Sequence, residues 1–435
     1  LFRSQYTGAG QAFIDLAFAA FGTIRGGPAK VAVVSSALFG SISGSPIANV
    51  VSTGTFTIPL MKKVGYEPEY AGAVEAVAST GGQIMPPIMG AAAFIMAQSM
   101  GVPYMTIVRA AILPAFLYYF MVLISIHLVA VKGGMKGLPA SQLPDFKETL
   151  KKSWFLILPI GVLVYMLVVL RLSTNKAALY CCGLSLVASW FSRENRVTPK
   201  ATIGIFLDAA KNMISVALAC AIAGVVISML SLTGLGLKLS SLMIMLSGEN
   251  LYILMLLVAI SGIILGMGLP SVGVYVILAA LTAPALVSFG VSQLSAQFYV
   301  FYFGCISAIT PPVALAAYAA AGIAGCDTNK TGWLAVKLGL AGFLLPVMFV
   351  LNPSILMTGS PAAILQTAVT STIAITVLTM AVNGVPYPRK ASRAVLILSA
   401  LLLLDGGTMS DLGGLGAAAA VFAIETILKK RGGQP

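Results

Sequence analysis

The sequence predicts an all-α polytopic membrane protein with inverted structural repeats, two re-entrant helical hairpins and two discontinuous helices. Three observations carry this. Hydrophobic residues make up 58% of the 435 positions and charged residues only 9%, with a mean hydropathy of +0.97, whereas a soluble domain carries about 25% charged residues. Clusters of Gly, Ser and Pro cut the apolar runs at membrane depth, and those clusters return later in the chain at a nearly constant spacing.

Composition closes off other classes. In a chain this apolar, the net charge of +13 reads as the positive-inside bias of membrane loops, and no nucleic-acid partner is expected. The five cysteines (Cys181, Cys182, Cys220, Cys305, Cys326) lie in or beside apolar runs without metal-ligand spacing, so they read as small packing residues. The chain opens at Leu1 without a methionine, in a loop-like TGAG and an amphipathic stretch. It is therefore expected to be an N-terminally incomplete copy of a longer protein.

Residues 1–26 read as an amphipathic arm at the membrane interface, because Gln11, Asp15 and Arg25 interrupt an otherwise apolar stretch. Residues 27–131 form a first repeat. Its hairpin, about 27–60, joins two apolar runs through a Gly/Ser knot at 40–46. Each run is too short to cross a bilayer, which takes about 20 residues. Open backbone at that depth is tolerated only where protein buries it or a watery cavity meets it, so the tip belongs at or beside a binding site. A helix from about 70 is broken by STGGQIMPP at 79–87 and resumes through 88–101. The prolines remove donors and the glycines free the backbone. A span follows at about 105–131. Residues 132–232 supply connecting spans near 154–172, 176–192 and 208–231. Residues 233–353 form a second repeat, ending in a span at about 333–352. Residues 354–435 supply C-terminal spans at 361–383 and 393–428, the last as two helices around a Gly-rich turn at 405–416.

The repeat is read from the offsets. Thr7-Gly8-Ala9-Gly10 returns as Thr233-Gly234-Leu235-Gly236, and Gly40 as Gly266, both 226 positions on. Pro59, Gly65, Pro86 and Pro87 return as Pro284, Gly290, Pro311 and Pro312 at 225. One spacing held through both helix breaks marks an internal repeat. Five crossings separate the two hairpins, and an odd number inverts the second copy. Charge supports that count, because only Arg109, Arg171, Lys176 and Lys238 of the 26 Lys and Arg fall on the side away from the first hairpin's loops. The first hairpin then opens to the cytoplasm and the second, about 250–287, to the outside.

Inverted repeats with broken helices are the sequence mark of secondary transporters. Helix N-termini at the tips and breaks offer N–H groups to an anion, and unwound carbonyls and hydroxyls suit a hard cation such as Na⁺. The candidates at the first tip are Ser41, Ser43, Gly44, Ser45 and Asn49, and at its break Thr80, Gly82 and Gln83. The outer tip offers Gly266, Gly268, Pro270 and Ser271, and its break Ser307, Thr310 and Pro311. The bland alternative is that such small residues only allow close helix packing. Glu75, about one turn above the first break, is a candidate coupling carboxylate for a cation or proton. It is also placed to pair with Lys62 or Lys63 near the surface. His127, the single histidine, reads as interfacial, and Tyr299, Tyr302 and Tyr318 read as packing. With no catalytic triad at depth and no GxxxxGK[ST], neither an enzyme nor an ATP-driven pump is expected, and no cofactor beyond the coupling ion.

The stretches GSISGSPIANVVSTGTFTIPLMKKVGY, ASTGGQIMPPIMGAAAFIMA, GMGLPSVGVYVILAALTAPAL and FYFGCISAITPPVALAAYAAAGIAG resemble the large membrane subunit of TRAP (tripartite ATP-independent periplasmic) transporters, most closely the fused permeases that work with TAXI-type binding proteins. The resemblance covers about 7–353. It implies an elevator-type transporter in the bacterial or archaeal cytoplasmic (inner) membrane. Such a protein imports small organic acids on a Na⁺ or proton gradient. Its implied partners are a periplasmic TAXI-type substrate-binding protein and a four-helix small membrane part. It also implies cation sites at Ser41–Ser45, Thr80–Gln83, Gly266–Ser271 and Ser307–Pro311. One departure stands out: many dicarboxylate-class members look like GMFLD at the outer tip, where this chain has Gly266-Met267-Gly268-Leu269-Pro270. Na⁺ and proton coupling both stay open. A passive channel and a non-transporting assembly subunit of a membrane complex remain as the alternatives from other classes.

Overall fold

The computed structural model describes residues 9–139, 141, 143–170, 172, 174–189, 199–387 and 389–431, and every regular element among them is helical. Thr7 and Gly8, where the first repeat is expected to begin, and the basic residues Arg3, Arg171, Arg193 and Arg196 lie outside the described residues.

After helix α1 (Ala9–Phe21) come the hairpin arms α2 (Gly27–Ser43) and α3 (Pro46–Lys63). With 17 and 18 residues each arm is about 25–27 Å long, short of a hydrocarbon core of about 30 Å. The turn between them follows from local chemistry. Gly44 adopts the left-handed conformation (φ 65°) and its N–H returns to the Gly40 carbonyl at 2.9 Å, a glycine C-cap. Ser45 is extended and its hydroxyl accepts the Ala48 N–H at 3.4 Å, with Pro46 opening the next helix.

The first broken helix runs as α4 (Pro68–Gly81), a 3-10 turn at Gly82–Ile84, and α5 (Gly90–Met100), followed by the long α6 (Tyr104–Lys132). Connecting helices α7 (Phe146–Val168), α8 (Thr174–Ser189) and α9 (Pro199–Thr233) lead to α10 (Leu235–Ser247). The arms α11 (Leu251–Leu265) and α12 (Ser271–Leu281), with the short α13 (Ala283–Ser288), precede the second broken helix. That helix runs as α14 (Gln293–Ile306), a 3-10 turn at Ser307–Ile309, and α15 (Leu315–Ala324). Both breaks rejoin their helix through a non-glycine residue at positive φ, Met89 (58°) and Ala314 (34°). They are 225 positions apart.

Three expected spans come out differently. The span at 333–352 is a pair, α16 (Thr328–Leu338) and α17 (Leu340–Leu351), bent by 41°. The helix expected from 154 starts at Phe146, because Asp145 caps it by accepting the Glu148 N–H at 2.9 Å. Beyond α18 (Pro361–Asn383), the turn between α19 (Lys390–Leu404) and α20 (Thr408–Arg431) is confined to 405–407. Gly413, Gly414 and Gly416 lie inside α20. A Cβ on Gly414 would come within 2.7 Å of Leu403, so this glycine lets two helices close up.

Among the described residues, Tyr104–Lys132, Ser271–Ser288, Pro361–Asn383 and Thr408–Leu428 are long and apolar enough to cross a membrane, and the bent pair makes a fifth. The centre is where the two broken helices meet. The first half of one (α4) lies along the second half of the other (α15), and both touch arm α3. Small residues mark it: a Cβ on Gly72 of α4 would lie 3.5 Å from the Ala320 backbone of α15, and Ala73 and Ala76 on α4 and Ala316, Ala317 and Ala320 on α15 are all fully buried. Lipid gives little hydrophobic drive for helix association, so small side chains that let backbones approach are what hold such a pair.

Candidate functional site

The first hairpin meets the first break backbone to backbone. A Cβ on Gly82 would sit 2.5 Å from the Gly40 Cα, and one on Gly44 would sit 2.8 Å from the Gly90 Cα. These two glycine pairs place the hairpin tip on the unwound segment and bring the N-termini of α3 and α5 side by side, where free N–H groups and the positive dipole ends favour an anion. Gly40 and Gly90 are not among the sequence-read candidates, yet they make these contacts.

The last carbonyls of α4 lack helical partners. Tyr119 of α6 takes one of them, donating to the Ala78 carbonyl at 2.9 Å, and Tyr118 adds a second bond to the Val77 carbonyl one residue before it, also at 2.9 Å. Tyr104 donates to the Ile88 carbonyl at 2.6 Å on the far side of the break. Gly81 is required here, since a Cβ would come within 2.5 Å of the Tyr118 ring. The adjacent tyrosines at 118 and 119 were the sequence signal that passed unread.

The candidates at the first tip divide into two groups. Asn49 ties the arms together, donating from Nδ2 to the Ser36 carbonyl at 2.8 Å. The hydroxyls of Ser41 and Thr80 turn back to their own helices, to Leu38 at 2.8 Å and Ala76 at 2.9 Å. Ser43, Gly44 and Ser45 are half-buried at the tip. Gln83 is buried in the 3-10 turn of the break. It accepts from Cys305 Sγ at 3.8 Å, which links the two breaks, while its Nε2 has no partner.

On the other side Ser307 meets Gly266: its hydroxyl lies 3.3 Å from the Gly266 carbonyl, and a Cβ on Gly266 would strike it. Gly268, Leu269 and Pro270 are exposed, with Ser271 half-buried behind them at the start of α12. Thr310 bonds back to the Ile306 carbonyl at 2.8 Å, and Pro311 is half-buried beside it. The outer tip thus touches its break through Gly266 and Ser307, with Gly268 standing in open space. Tyr299 and Tyr318 spend their hydroxyls on the Met255 and Pro312 carbonyls, as packing residues do, whereas the buried Tyr302 hydroxyl has no partner. His127 is exposed and its Nδ1 faces the Lys30 ammonium at 3.2 Å.

Glu75 differs from the surface-pairing expectation. It is fully buried, and its partners are hydroxyls. Ser36 of α2 and Thr53 of α3 donate to Oε1 at 2.6 and 2.5 Å, Thr57 of α3 donates to Oε2 at 2.6 Å, and Ser79 of its own helix reaches Oε1 at 3.2 Å. Lys62, the expected partner, donates instead to the Ala324 carbonyl at 2.8 Å. Sequence reasoning placed Glu75 by hydropathy and so put it too close to the surface. The i, i+4 pair Thr53 and Thr57 on an apolar helix was the available sign of a polar face turned inward. Among the described residues no group of three or more His, Cys, Asp or Glu comes together, so a cation here would depend on hydroxyls, carbonyls and this one carboxylate.

A family model described as the tripartite ATP-independent periplasmic transporter, DctM component, matches residues 4–362. The chain is 25% identical over 339 residues to the C4-dicarboxylate TRAP transporter large permease protein DctM of Pseudomonas aeruginosa, covering 76% of this chain and 78% of that one. A protein of the same description from Vibrio cholerae is 33% identical over 160 residues, 36% of this chain and 34% of the relative. The isethionate TRAP transporter permease protein DctMQ of Oleidesulfovibrio alaskensis is 24% identical over 351 residues, 79% of this chain, and the chain spans 53% of its length. With the family match running through both hairpins and both breaks, the chain belongs to the DctM component of the tripartite ATP-independent periplasmic transporters and is a multi-pass inner-membrane protein.

Proposed function

We propose that this chain is the permease of a binding-protein-dependent secondary transporter that imports small organic acids on a Na⁺ or proton gradient. One observation carries the reading: the N-termini of α3 and α5 are held side by side at the Gly44–Gly90 contact, in a segment where the backbone is unwound within an apolar core. Two positive helix ends at one place suit an organic anion. The relatives' own descriptions name C4-dicarboxylate and isethionate, both small organic anions, which supports that substrate class.

The rest of the reading builds on this. The two halves are inverted repeats, the arms α2–α3 and α11–α13 are re-entrant hairpins open to the cytoplasm and the outside, and the unit carrying them moves against a scaffold as an elevator. The matched order of helix, 3-10 turn and positive-φ residue at each break supports the repeat. An apolar groove of about 350 Å³ between α2 and α6, lined by Val33, Ala37, Ile112 and Phe116 among others, supports a boundary there. A periplasmic binding protein of the TAXI type delivers the substrate, and a four-helix small membrane part completes the complex. The coupling cation takes its oxygens from the first tip and break (Ser41, Ser43, Gly44, Ser45, Asn49, Thr80, Gly82, Gln83) and from the second (Gly266, Gly268, Pro270, Ser271, Ser307, Thr310, Pro311).

The test is uptake into proteoliposomes holding the complete permease with its binding protein, with Na⁺ and proton gradients imposed separately. Accumulation of a small organic acid that follows one of the two gradients is expected. Uptake indifferent to both gradients would overturn the coupled-transport reading.

A further inference from the structure

We infer that Glu75 is a proton-binding site: its carboxyl, closed in a cage of four hydroxyls from three helices, takes up and releases one proton as a single threonine hydroxyl turns. The cage joins both arms of the first hairpin, through Ser36 on α2 and Thr53 and Thr57 on α3, to the broken helix that carries Glu75 and Ser79. It is fully buried. An ionised carboxylate buried without a counter-charge is costly, and the side chains that bond Glu75 are hydroxyls.

The titratable groups on the helices packed against α4 leave the cage to its hydroxyls. Lys30 on α2 faces His127 of α6. Lys62 on α3 donates to the Ala324 carbonyl, and Tyr318 on α15 donates to the Pro312 carbonyl. Tyr118 and Tyr119 on α6 donate to the Val77 and Ala78 carbonyls. Tyr104 on α6 donates to the Ile88 carbonyl; Lys63 on α3, Lys330 and Lys337 on α16, and Arg109 and Lys132 on α6 complete the set, and none of them bonds the Glu75 carboxylate. On α4 itself Glu69 lies in the first turn, and the buried Tyr70 hydroxyl has no partner.

The spacing of the oxygens is that of a proton-binding network. Glu75 Oε1, Ser36 Oγ and Thr53 Oγ1 lie 2.5, 2.6 and 2.9 Å from one another, which is hydrogen-bond contact. Both charge states can be fully bonded here. In the ionised state all four hydroxyls donate to the carboxylate. In the neutral state the proton sits on Oε2 and is donated to Thr57 Oγ1. The Thr57 hydroxyl then turns to the Thr53 carbonyl, 3.1 Å away, while Oε1 still accepts from Ser36 and Thr53. One O–H bond forms at Oε2 when a proton arrives from water and breaks when it returns, and no polar group is stranded in either state.

As the coupling step of transport this rests on the proposed function, but protonation itself needs no transport to be read. The experiment is infrared difference spectroscopy of the full chain in lipid vesicles during pH titration, comparing wild type with Glu75→Gln. The expected result is a neutral carboxylic-acid C=O band in wild type that falls in one step as pH rises and is missing from Glu75→Gln. Thr53→Val is the second variant should Glu75→Gln fail to fold; it keeps the band but moves it to higher frequency, because the carbonyl oxygen loses its closest donor. A band common to wild type and Glu75→Gln, a band that never titrates, or one unmoved by Thr53→Val overturns the proposal. A titrating band in a protein whose uptake ignores both gradients would overturn the transport reading and leave this one standing.

Discussion

At position 75 the first broken helix carries a carboxylate; 225 positions on, the second carries Val300, equally buried. The hydroxyl cage has no match either. Where the first half has Ser36, Thr53 and Ser79, the second has Gly262, Leu278 and Gly304 at the corresponding spacings. Thr57 alone is answered by a hydroxyl, Thr282, which bonds the Leu278 carbonyl at 2.9 Å, the same backward bond Thr57 can make to Thr53. Gly262 lies against Phe303 and Leu278, and Gly304 against Val274 and Leu278, so the contacts there are apolar. The unwound backbone therefore does not need a polar cage for its own stability, because one half does without. What the cage adds is a group that can change charge, and it adds it on one side only.

The glycine contacts make the same contrast. Gly40 meets Gly82 with no side chain between them, whereas Gly266 meets the hydroxyl of Ser307. The largest effect is expected at the tighter contact. Gly82→Val inserts a side chain against the Gly40 backbone, costs at least the about 1–3 kcal/mol typical of overpacking, and abolishes uptake; thermal unfolding and proteoliposome uptake read both. Next comes Tyr118→Phe, which loses the bond to the Val77 carbonyl and costs about 0.5–1.5 kcal/mol, seen as a lowered unfolding midpoint. Ser307→Ala removes a hydroxyl that bonds the Gly304 carbonyl at 2.7 Å and reaches that of Gly266 at 3.3 Å, and costs about 0.5–1.5 kcal/mol. Smallest is Tyr302→Phe, whose hydroxyl is buried without a partner; removing a polar group that burial already penalises leaves the midpoint unchanged or raises it. A Ser307→Ala loss larger than that of Gly82→Val would break the contrast between the halves.

Much of the backbone was legible because its signals are local. The Gly44–Ser45–Pro46 turn, the break after Gly81 and the stop at Pro86 are written in consecutive residues whose conformational preferences need no tertiary partner. Hydropathy misplaced ends where polar residues continue a helix past the apolar stretch, as at Asp145 to Lys152, because it measures solvent preference and not hydrogen bonding. The glycines of α20 were read as a turn since a glycine that permits close packing and one that permits a turn look alike in sequence. The cage around Glu75 was hidden for a different reason. Apart from Ser79 on its own helix, its donors come from 18 to 39 positions away, and each hydroxyl alone looks like an ordinary small residue of a membrane helix.

The most direct test of the account is gradient-driven uptake by wild type and Glu75→Gln in parallel, with sodium and proton gradients imposed one at a time. The account predicts that wild type accumulates substrate on a proton gradient and that Glu75→Gln, expressed and folded to the same level, loses that dependence. Unaltered proton dependence in the variant would contradict it.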